Sequence, residues 1–187
     1  LGTGAKYTLI HERLSSTFAW TYLMNLSVPL DEIRDVTSAI RCTGPGDRIT
    51  PARFERPVAR TIAAMLVTAD YLGQMASASY VRKLPFLYRE FEEAYDYAKI
   101  PAWEREFKSA ADLIARTPGF WHNFVLPMLQ GNLGGVYRCI APLEDGRNPY
   151  LAAVERNIAR VARLATAPEA SLAPFGTPSS LQTACTE

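Results

Sequence analysis

The sequence predicts an all-α fold, and three observations predict it. Apolar residues recur at three- and four-residue steps along most of the chain, which is the period of one face of a helix. No segment shows the strict apolar and polar alternation of a half-buried strand. No internal repeat period is visible either, so the helices are expected to pack as one bundle instead of a repeat array.

Composition predicts one domain. The chain has 187 residues, of which 48% are hydrophobic and 21% are charged, as in ordinary globular proteins with one core. Residues 1–165 are therefore predicted to form a single helical domain. Residues 166–187 are rich in Ala, Pro, Ser and Thr without periodicity, which predicts a disordered or extended tail.

The first two helices are predicted from their apolar spacing. A helix is expected over residues 9–26, with Thr8 as its N-cap and one apolar face made of Ile10, Leu14, Phe18, Tyr22 and Leu26. A second helix is expected over residues 30–40, with Asp31 and Glu32 in its first turn, where they complement the helix dipole. Its apolar face is predicted to consist of Ile33, Val36 and Ile40.

A glycine-rich loop, "CTGPGDRITP", separates these helices from the next pair. The third helix is expected to begin near Pro57, a favoured first-turn residue. Its predicted apolar stripe consists of Val58, Ile62, Met65, Leu66, Ala69, Leu72 and Ala76. A fourth helix is predicted over residues 80–100, entered or kinked at Pro85, with a solvated acidic face.

Three further helices are predicted after Pro101. The first two cover residues 102–116 and 119–130 and are broken at "TPG"; "QGNLGG" forms a turn, and the last helix covers residues 148–165. This half is rich in aromatic residues, which belong either to the core or to a partner surface: Trp103, Phe107, Phe120, Trp121 and Phe124.

Charge and cysteine content exclude several classes of protein. The formal net charge is +1, so no global field recruits nucleic acid or an anionic membrane, and neither is expected as a partner. Charged residues interrupt every apolar segment before it could span a membrane. Cys42, Cys139 and Cys185 are far apart and form no CxxC pair, which favours free thiols in the reducing cytoplasm over disulfides or a zinc site.

One acid lies inside an apolar helical run. In "AAMLVTADYLGQMASASY", residues 63–80, Asp70 falls at the edge of the predicted apolar stripe. A half-buried carboxylate is costly unless a cation, a metal or hydrogen-bond donors compensate it. Asp70 is therefore either a structural acid that caps a helix or pairs with Arg, or a metal ligand. Gln74, one turn later, either supports this carboxylate or bridges two helices.

The two histidines are the other candidates. His11 lies near the start of the first helix, where its imidazole either faces a packed neighbour as a ligand or is an ordinary exposed side chain. His122 lies among aromatic residues in "GFWHNF", without a metal-binding spacing.

Together these segments resemble a known family. "HERLSSTFAWTYLM", "LDEIRDVTSAIRCTG" and "ADYLGQM" followed by "KLPFLYREFEEA" resemble the later part of the HD-domain superfamily, over residues 8–97, with residues 101–165 as extra helices. The resemblance implies an HD-like helical bundle that acts as a metal-dependent phosphohydrolase on a small phosphate ester, such as a nucleotide. It also implies that Asp70 and His11 are ligands of a divalent metal ion, with Thr43 where a second added histidine would stand.

The chain departs from the family at its signature. No His-Asp dipeptide occurs, and the family's dyad would lie upstream of His11, where ten residues stand. The chain begins "LGTGAKYT", without Met or a secretory signal, which predicts a processed or truncated piece. The alternative is a degenerate, non-catalytic HD-like module for binding or assembly, and a homo-oligomer is left open.

Overall fold

Helices make up every regular element among residues 4–44, 49, 54, 56–140 and 146–166, the part of the chain that the computed structural model describes. The all-α prediction is confirmed, since this part contains no strand. The α-helices are α1 (His11–Asn25), α2 (Leu30–Arg41), α3 (Pro57–Met75), α4 (Tyr80–Tyr97), α5 (Ala110–Phe120), α6 (Leu126–Gln130) and α7 (Pro149–Thr166). Short 3-10 segments cover Ala5–Ile10 and Val136–Cys139, and a π-helical turn covers Trp121–Val125.

The start of α1 differs from the prediction. The helix begins at His11 after a 3-10 segment, and Thr8 does not cap it; the N-cap position is Ile10, without a side-chain cap. The 3-10 segment packs on α4, where the Lys6 N–H donates to Glu93 Oε1 at 3.1 Å. By contrast, α2 ends one residue beyond its predicted end, with both predicted acids in its first turn.

The buried face of α1 is not the predicted one. Glu12 and Ser16 are buried against α2, and Ser16 Oγ donates to the Thr37 carbonyl at 3.2 Å. The residues predicted to form its core face are largely exposed: Leu14 by 49%, Phe18 by 71%, Tyr22 by 54% and Leu26 by 58%. On α2, Ile33 is fully buried as predicted, but Val36 is 42% exposed.

The predicted stripe of α3 is also wrong for most of its members. Leu72 is buried, but the large side chains nearer the start of the helix are exposed: Val58 by 60%, Ile62 by 55%, Met65 by 51% and Leu66 by 40%. The helix instead buries a face of mostly small residues: Ala59, Ala63, Ala64, Val67, Thr68, Leu72 and Met75. Small side chains let neighbouring elements approach α3 closely, and this decides which face enters the core.

The second half contains a shorter α5 than predicted. This helix begins at Ala110, so the helix predicted from residue 102 was wrong over residues 102–109. Ser109 is its N-cap, and Ser109 Oγ accepts from the Asp112 N–H at 3.0 Å. The Lys108 ammonium donates to three carbonyls of the preceding segment, those of Ala102, Trp103 and Arg105.

The predicted break at "TPG" is absent. The α5 helix continues through Pro118 to Phe120 and passes through the π-helical turn directly into α6. Pro118 has no N–H to donate, and the wider turn begins three residues later, at Trp121. The glycine turn over residues 131–135 is confirmed, with Gly134 and Gly135 at positive φ.

Two apolar clusters form the core. The larger one surrounds α3 and includes the fully buried Trp121, Val125 and Leu129. The smaller one joins α4, α5 and α7. At the C-terminal end of α3, the buried Asn157 of α7 donates from Nδ2 to the carbonyls of Met75 at 2.8 Å and Ser77 at 2.9 Å. This amide fixes α7 against α3.

The other predicted helices also form. The α4 helix is formed with Pro85 inside it. The last helix is confirmed as Pro149–Thr166. Most of the predicted loop at residues 42–51, and the predicted tail beyond Thr166, lie outside the described residues. Among the described helices, each is too short or too polar to span a bilayer.

Candidate functional site

Asp70 lies on the boundary between the two faces of α3. At about 100° per residue, its neighbours one turn away are the exposed Leu66 on one side and the buried Val67 on the other. Its carboxylate is half-buried, and Gln74 Nε2 donates to Asp70 Oδ1 at 2.9 Å. The amide thus holds the carboxylate along the helix, at the border of an exposed apolar surface.

The residue after Asp70, Tyr71, belongs to a cluster of aromatic rings. Burial and the nearby negative charge of Asp70 raise the pKa of Tyr71. The Tyr71 ring lies 6.3 Å from that of Phe120 and 6.5 Å from that of Phe124, and the Phe120 and Phe124 rings are stacked at 5.3 Å. Both phenylalanines are more than two-fifths exposed, so this cluster extends the apolar surface beside Asp70.

His11 is exposed at the start of α1. Its Nδ1 lies 2.7 Å from the Thr8 carbonyl oxygen. Because a carbonyl only accepts, this bond places the proton of the neutral ring on Nδ1 and leaves the lone pair on Nε2. His11 Nδ1 also lies 3.6 Å from Glu12 Oε2.

Glu12 is a polar residue that sequence reasoning missed. It is only 8% exposed, and Oε2 has no hydrogen-bond partner among the described residues. Its side chain lies against Gly44, where an added Cβ would fall 2.5 Å from Glu12 Cδ. The sequence places Glu12 one turn before Ser16, and both lie on the face of α1 that packs against α2. An acid in the first turn of a helix is usually explained by the helix dipole, so its burial was not predicted.

Thr43 stands where the resemblance places a second added histidine. It follows the end of α2, and its hydroxyl donates to the Ile40 carbonyl at 2.7 Å. In this arrangement it satisfies a helix-end carbonyl.

The described residues do not by themselves fit a divalent metal ion. Catalytic metal sites use about three protein ligands plus water. No group of three or more His, Cys, Asp or Glu side chains able to hold a metal occurs in the ranges that the structure describes. Asp70 lies beside Gln74, and His11 lies beside Glu12, but the two pairs do not form one cluster.

Cationic side chains suited to a phosphate lie elsewhere. Arg60 and Thr61 line an open cavity of about 410 Å³ between the start of α3 and the glycine turn, with Asn132 on the opposite wall. Arg56, just before α3, is already paired: its guanidinium donates from Nε to Asp35 Oδ2 at 2.6 Å, and it also contacts Asp31.

Two rows of exposed apolar side chains lie on α1 and α3. We call Val58, Ile62, Met65, Leu66 and Ala69 the α3 stripe, and Leu14, Phe18, Tyr22 and Leu26 the α1 stripe. In the α1 stripe the Phe18 and Tyr22 rings stack with centroids 5.9 Å apart. Contiguous exposed apolar patches of this kind mark interaction surfaces.

Comparison with known proteins identifies one match. The model of the Npun_R2479-like family matches residues 48–175, more than half of the chain. The match includes the α3 stripe, Asp70 and Gln74, whereas α1 and His11 precede it. No curated protein and no solved structure matches the chain.

Proposed function

The chain belongs to the Npun_R2479-like family, and we propose that it is a non-catalytic helical module for assembly, which binds a polypeptide through the α3 stripe. The α1 stripe is a second contact surface of the same kind. Of the two functions that the sequence left open, binding or assembly is the one that the exposed surface supports.

The exposed α3 stripe is the observation that carries this proposal. One side of α3 is buried in the core, and the other presents four large apolar side chains that are 40% to 60% exposed. A helix that is apolar on all sides belongs in an interior. Burying one such half-exposed side chain contributes about 1 kcal/mol, so covering four of them favours association by several kcal/mol.

The surroundings of the stripe suit a polypeptide partner. Gly73 lies one turn beyond Ala69, and an added Cβ there would meet no atom within 4 Å. A second open cavity, of about 400 Å³, lies between this end of α3 and the start of α7, with Tyr150 on its wall. An exposed apolar face of one helix, with an open cavity at its end, is a surface on which the apolar face of another helix can pack.

Site-specific photocrosslinking tests this proposal in cells. A benzophenone amino acid is introduced into the full chain at Ile62 of the α3 stripe, or as a matched control at Phe86, which is 61% exposed on α4. We expect covalent adducts with a protein at position 62 and few at position 86. Equal yields at the two positions would contradict the proposal.

The phosphohydrolase predicted from the HD resemblance is the second candidate function. Its supporting observation is that Asp70 borders the α3 stripe, so that any polypeptide covering this stripe lies beside a carboxylate. The described residues supply too few ligands, and this candidate therefore requires further His or Asp ligands from outside them, such as from the polypeptide that covers the stripe.

Metal analysis separates the two candidates. The full chain is purified together with whatever binds the α3 stripe, and its metal content is measured by inductively coupled plasma mass spectrometry. The phosphohydrolase predicts a divalent metal at about one ion per chain, lost in Asp70→Ala but retained in Asp112→Ala, an acid on α5 that serves as control. Equal metal content in both variants, or none in the unaltered protein, would exclude this candidate.

A further inference from the structure

We propose that the polypeptide on the α3 stripe is a second copy of this chain, packed with its α3 antiparallel to the first. This inference rests on the proposed function and names its partner. Three properties of the stripe support it: its spacing, its gradient of side-chain size, and the apolar area that it offers together with the α1 stripe.

The spacing of the stripe is that of a helix that pairs with another helix. Val58, Ile62, Met65 and Ala69 follow one another at steps of four, three and four residues, and Gly73 continues the row. Alternating steps of three and four residues keep one seam facing a partner helix along its length. The row carries no charged residue, and Asp70 stands beside it instead of in it.

The gradient of side-chain size makes the stripe complementary to its own reversed copy. Its large residues lie in the first half of α3, and its small residues, Ala69 and Gly73, lie in the second half. In an antiparallel pair centred between Met65 and Leu66, Ile62 of one copy faces Ala69 of the other. Val58 faces Gly73 in the same way, where the space for a Cβ is open. Large residues therefore meet small ones in the outer layers, and Met65 of one copy faces Leu66 of the other at the centre of the pair.

The exposed area agrees with what a stable dimer needs. Each large side chain of the α3 stripe is about half exposed and offers on the order of 100 Å², or roughly 400 Å² for the four. The α1 stripe offers a similar area, and α1 and α3 both pack on α2. Two facing α3 stripes bury roughly 800 Å² in total, and each α1 stripe that the second copy also covers adds roughly 400 Å², towards the roughly 1,600 Å² of a standard protein interface.

Sedimentation equilibrium of the purified full chain tests the dimer. We expect twice the mass of one chain at about 50 µM, and the mass of one chain for Ile62→Glu, since a buried unpaired carboxylate opposes association. Phe86→Glu is the control and is expected to remain dimeric. Circular dichroism must show unchanged helix content, and Ala69→Leu, which overfills the opposing layer, is a second variant expected to weaken the dimer at least tenfold.

Disulfide trapping tests the antiparallel arrangement. In a background with Cys139→Ser and Cys185→Ser, Leu66→Cys lies near the twofold axis and is expected to form an intermolecular disulfide. Val58→Cys lies opposite residue 73 of the other copy, which is fifteen residues or roughly 22 Å along the helix from that copy's own residue 58. It is expected to remain reduced.

The outcomes distinguish this inference from the proposed function. A monomer at 50 µM, or a dimer that Ile62→Glu leaves intact, would overturn the second copy as the partner. If position 62 then photocrosslinks to a different protein in cells, the assembly function stands and only the partner is wrong. If the photocrosslinker at position 62 yields no more adduct than at position 86, both proposals fail.

Discussion

The side chain of Glu12 occupies the space that a side chain at residue 44 would need, so that a Cβ on Gly44 would fall 2.5 Å from Glu12 Cδ and 2.8 Å from Glu12 Oε1. This contact joins the first turn of α1 to the residues that follow α2. Glu12 is buried, with one carboxylate oxygen that has no hydrogen-bond partner among the described residues. The pair therefore fixes the α1 and α2 hairpin by shape, beside a carboxylate whose Oε2 lies 3.6 Å from His11 Nδ1.

Gly44→Ala tests this contact. We expect the free energy of unfolding to fall by about 1–3 kcal/mol, because the added methyl group displaces the packed Glu12 side chain. The measurement is urea denaturation followed by circular dichroism. In a Glu12→Ala background the same substitution should cost much less, since the clashing atoms are absent. Equal costs in both backgrounds would show that Gly44 acts through something other than Glu12.

The orientation of α3 is tested by one substitution made on its two faces. Ala63 is fully buried, so Ala63→Leu overfills the core and is expected to lower the free energy of unfolding by about 1–3 kcal/mol. Ala69 is exposed on the α3 stripe, so Ala69→Leu is expected to change the stability of the monomeric Ile62→Glu variant by less than about 0.5 kcal/mol. The reverse order of the two effects would mean that the predicted stripe, and not the small-residue face, enters the core.

Asn157 is predicted to be a polar anchor of the core. Asn157→Leu removes the donor that two carbonyls at the end of α3 share, leaving buried acceptors unpaired at a cost of about 1–3 kcal/mol. Thermal unfolding of this variant is compared with that of Asn25→Leu, at an exposed position at the end of α1. A midpoint for Asn157→Leu as high as that of the control would show that the amide contributes nothing.

Stability is expected to fall in strong base because of Tyr80. Burial raises the pKa of Tyr80 to about 12, above its value of about 10 in an unfolded chain. The folded state therefore holds this proton more tightly, so the contribution is complete below pH 10 and is lost progressively as the pH rises towards 12. The shift of about two pKa units corresponds to roughly 3 kcal/mol.

Urea denaturation at pH 8, 10 and 11 measures this loss. Tyr80→Phe has no phenol to ionise at this position, so its stability should decline less between pH 8 and pH 11 than that of the unaltered chain. Burial also raises the pKa values of Tyr71 and Tyr95. Part of the loss of stability in base is therefore expected to remain in Tyr80→Phe. Parallel declines in the two proteins would contradict the assignment to Tyr80.

The helices themselves could be predicted from the sequence, but several of their ends could not. The start of α3 at Pro57 and the extent of α7 followed from local spacing and end signals. The start of α5 could not be predicted in this way, because the apolar spacing already begins in residues 102–109. The helix itself begins only after its N-cap, Ser109. The break predicted at Pro118 is wrong, since α5 continues through this residue to Phe120 and only then passes into the π-helical turn.

The candidate site was predictable only as separate residues. The sequence singled out Asp70, Gln74 and His11, and the structure pairs Asp70 with Gln74 on one helix and His11 with Glu12 on another. Spacing along a helix places Gln74 within reach of Asp70, since residues four apart are neighbours. No local pattern could indicate that Glu12 would be buried on Gly44, because that contact joins residues from two helices.

The sequence by itself determined that the chain is helical, where most helices lie and that an acid stands at the edge of an apolar face. Periodicity contains this information, since it is a property of each segment alone. Only the tertiary structure decided which side of α3 enters the core. That helix is apolar on both sides, and the side with Ala59, Ala63 and Ala64 is buried because its small side chains let α2, α7 and the Val136–Cys139 segment pack closely on α3. The larger apolar side chains were thereby left on the surface, available to a partner.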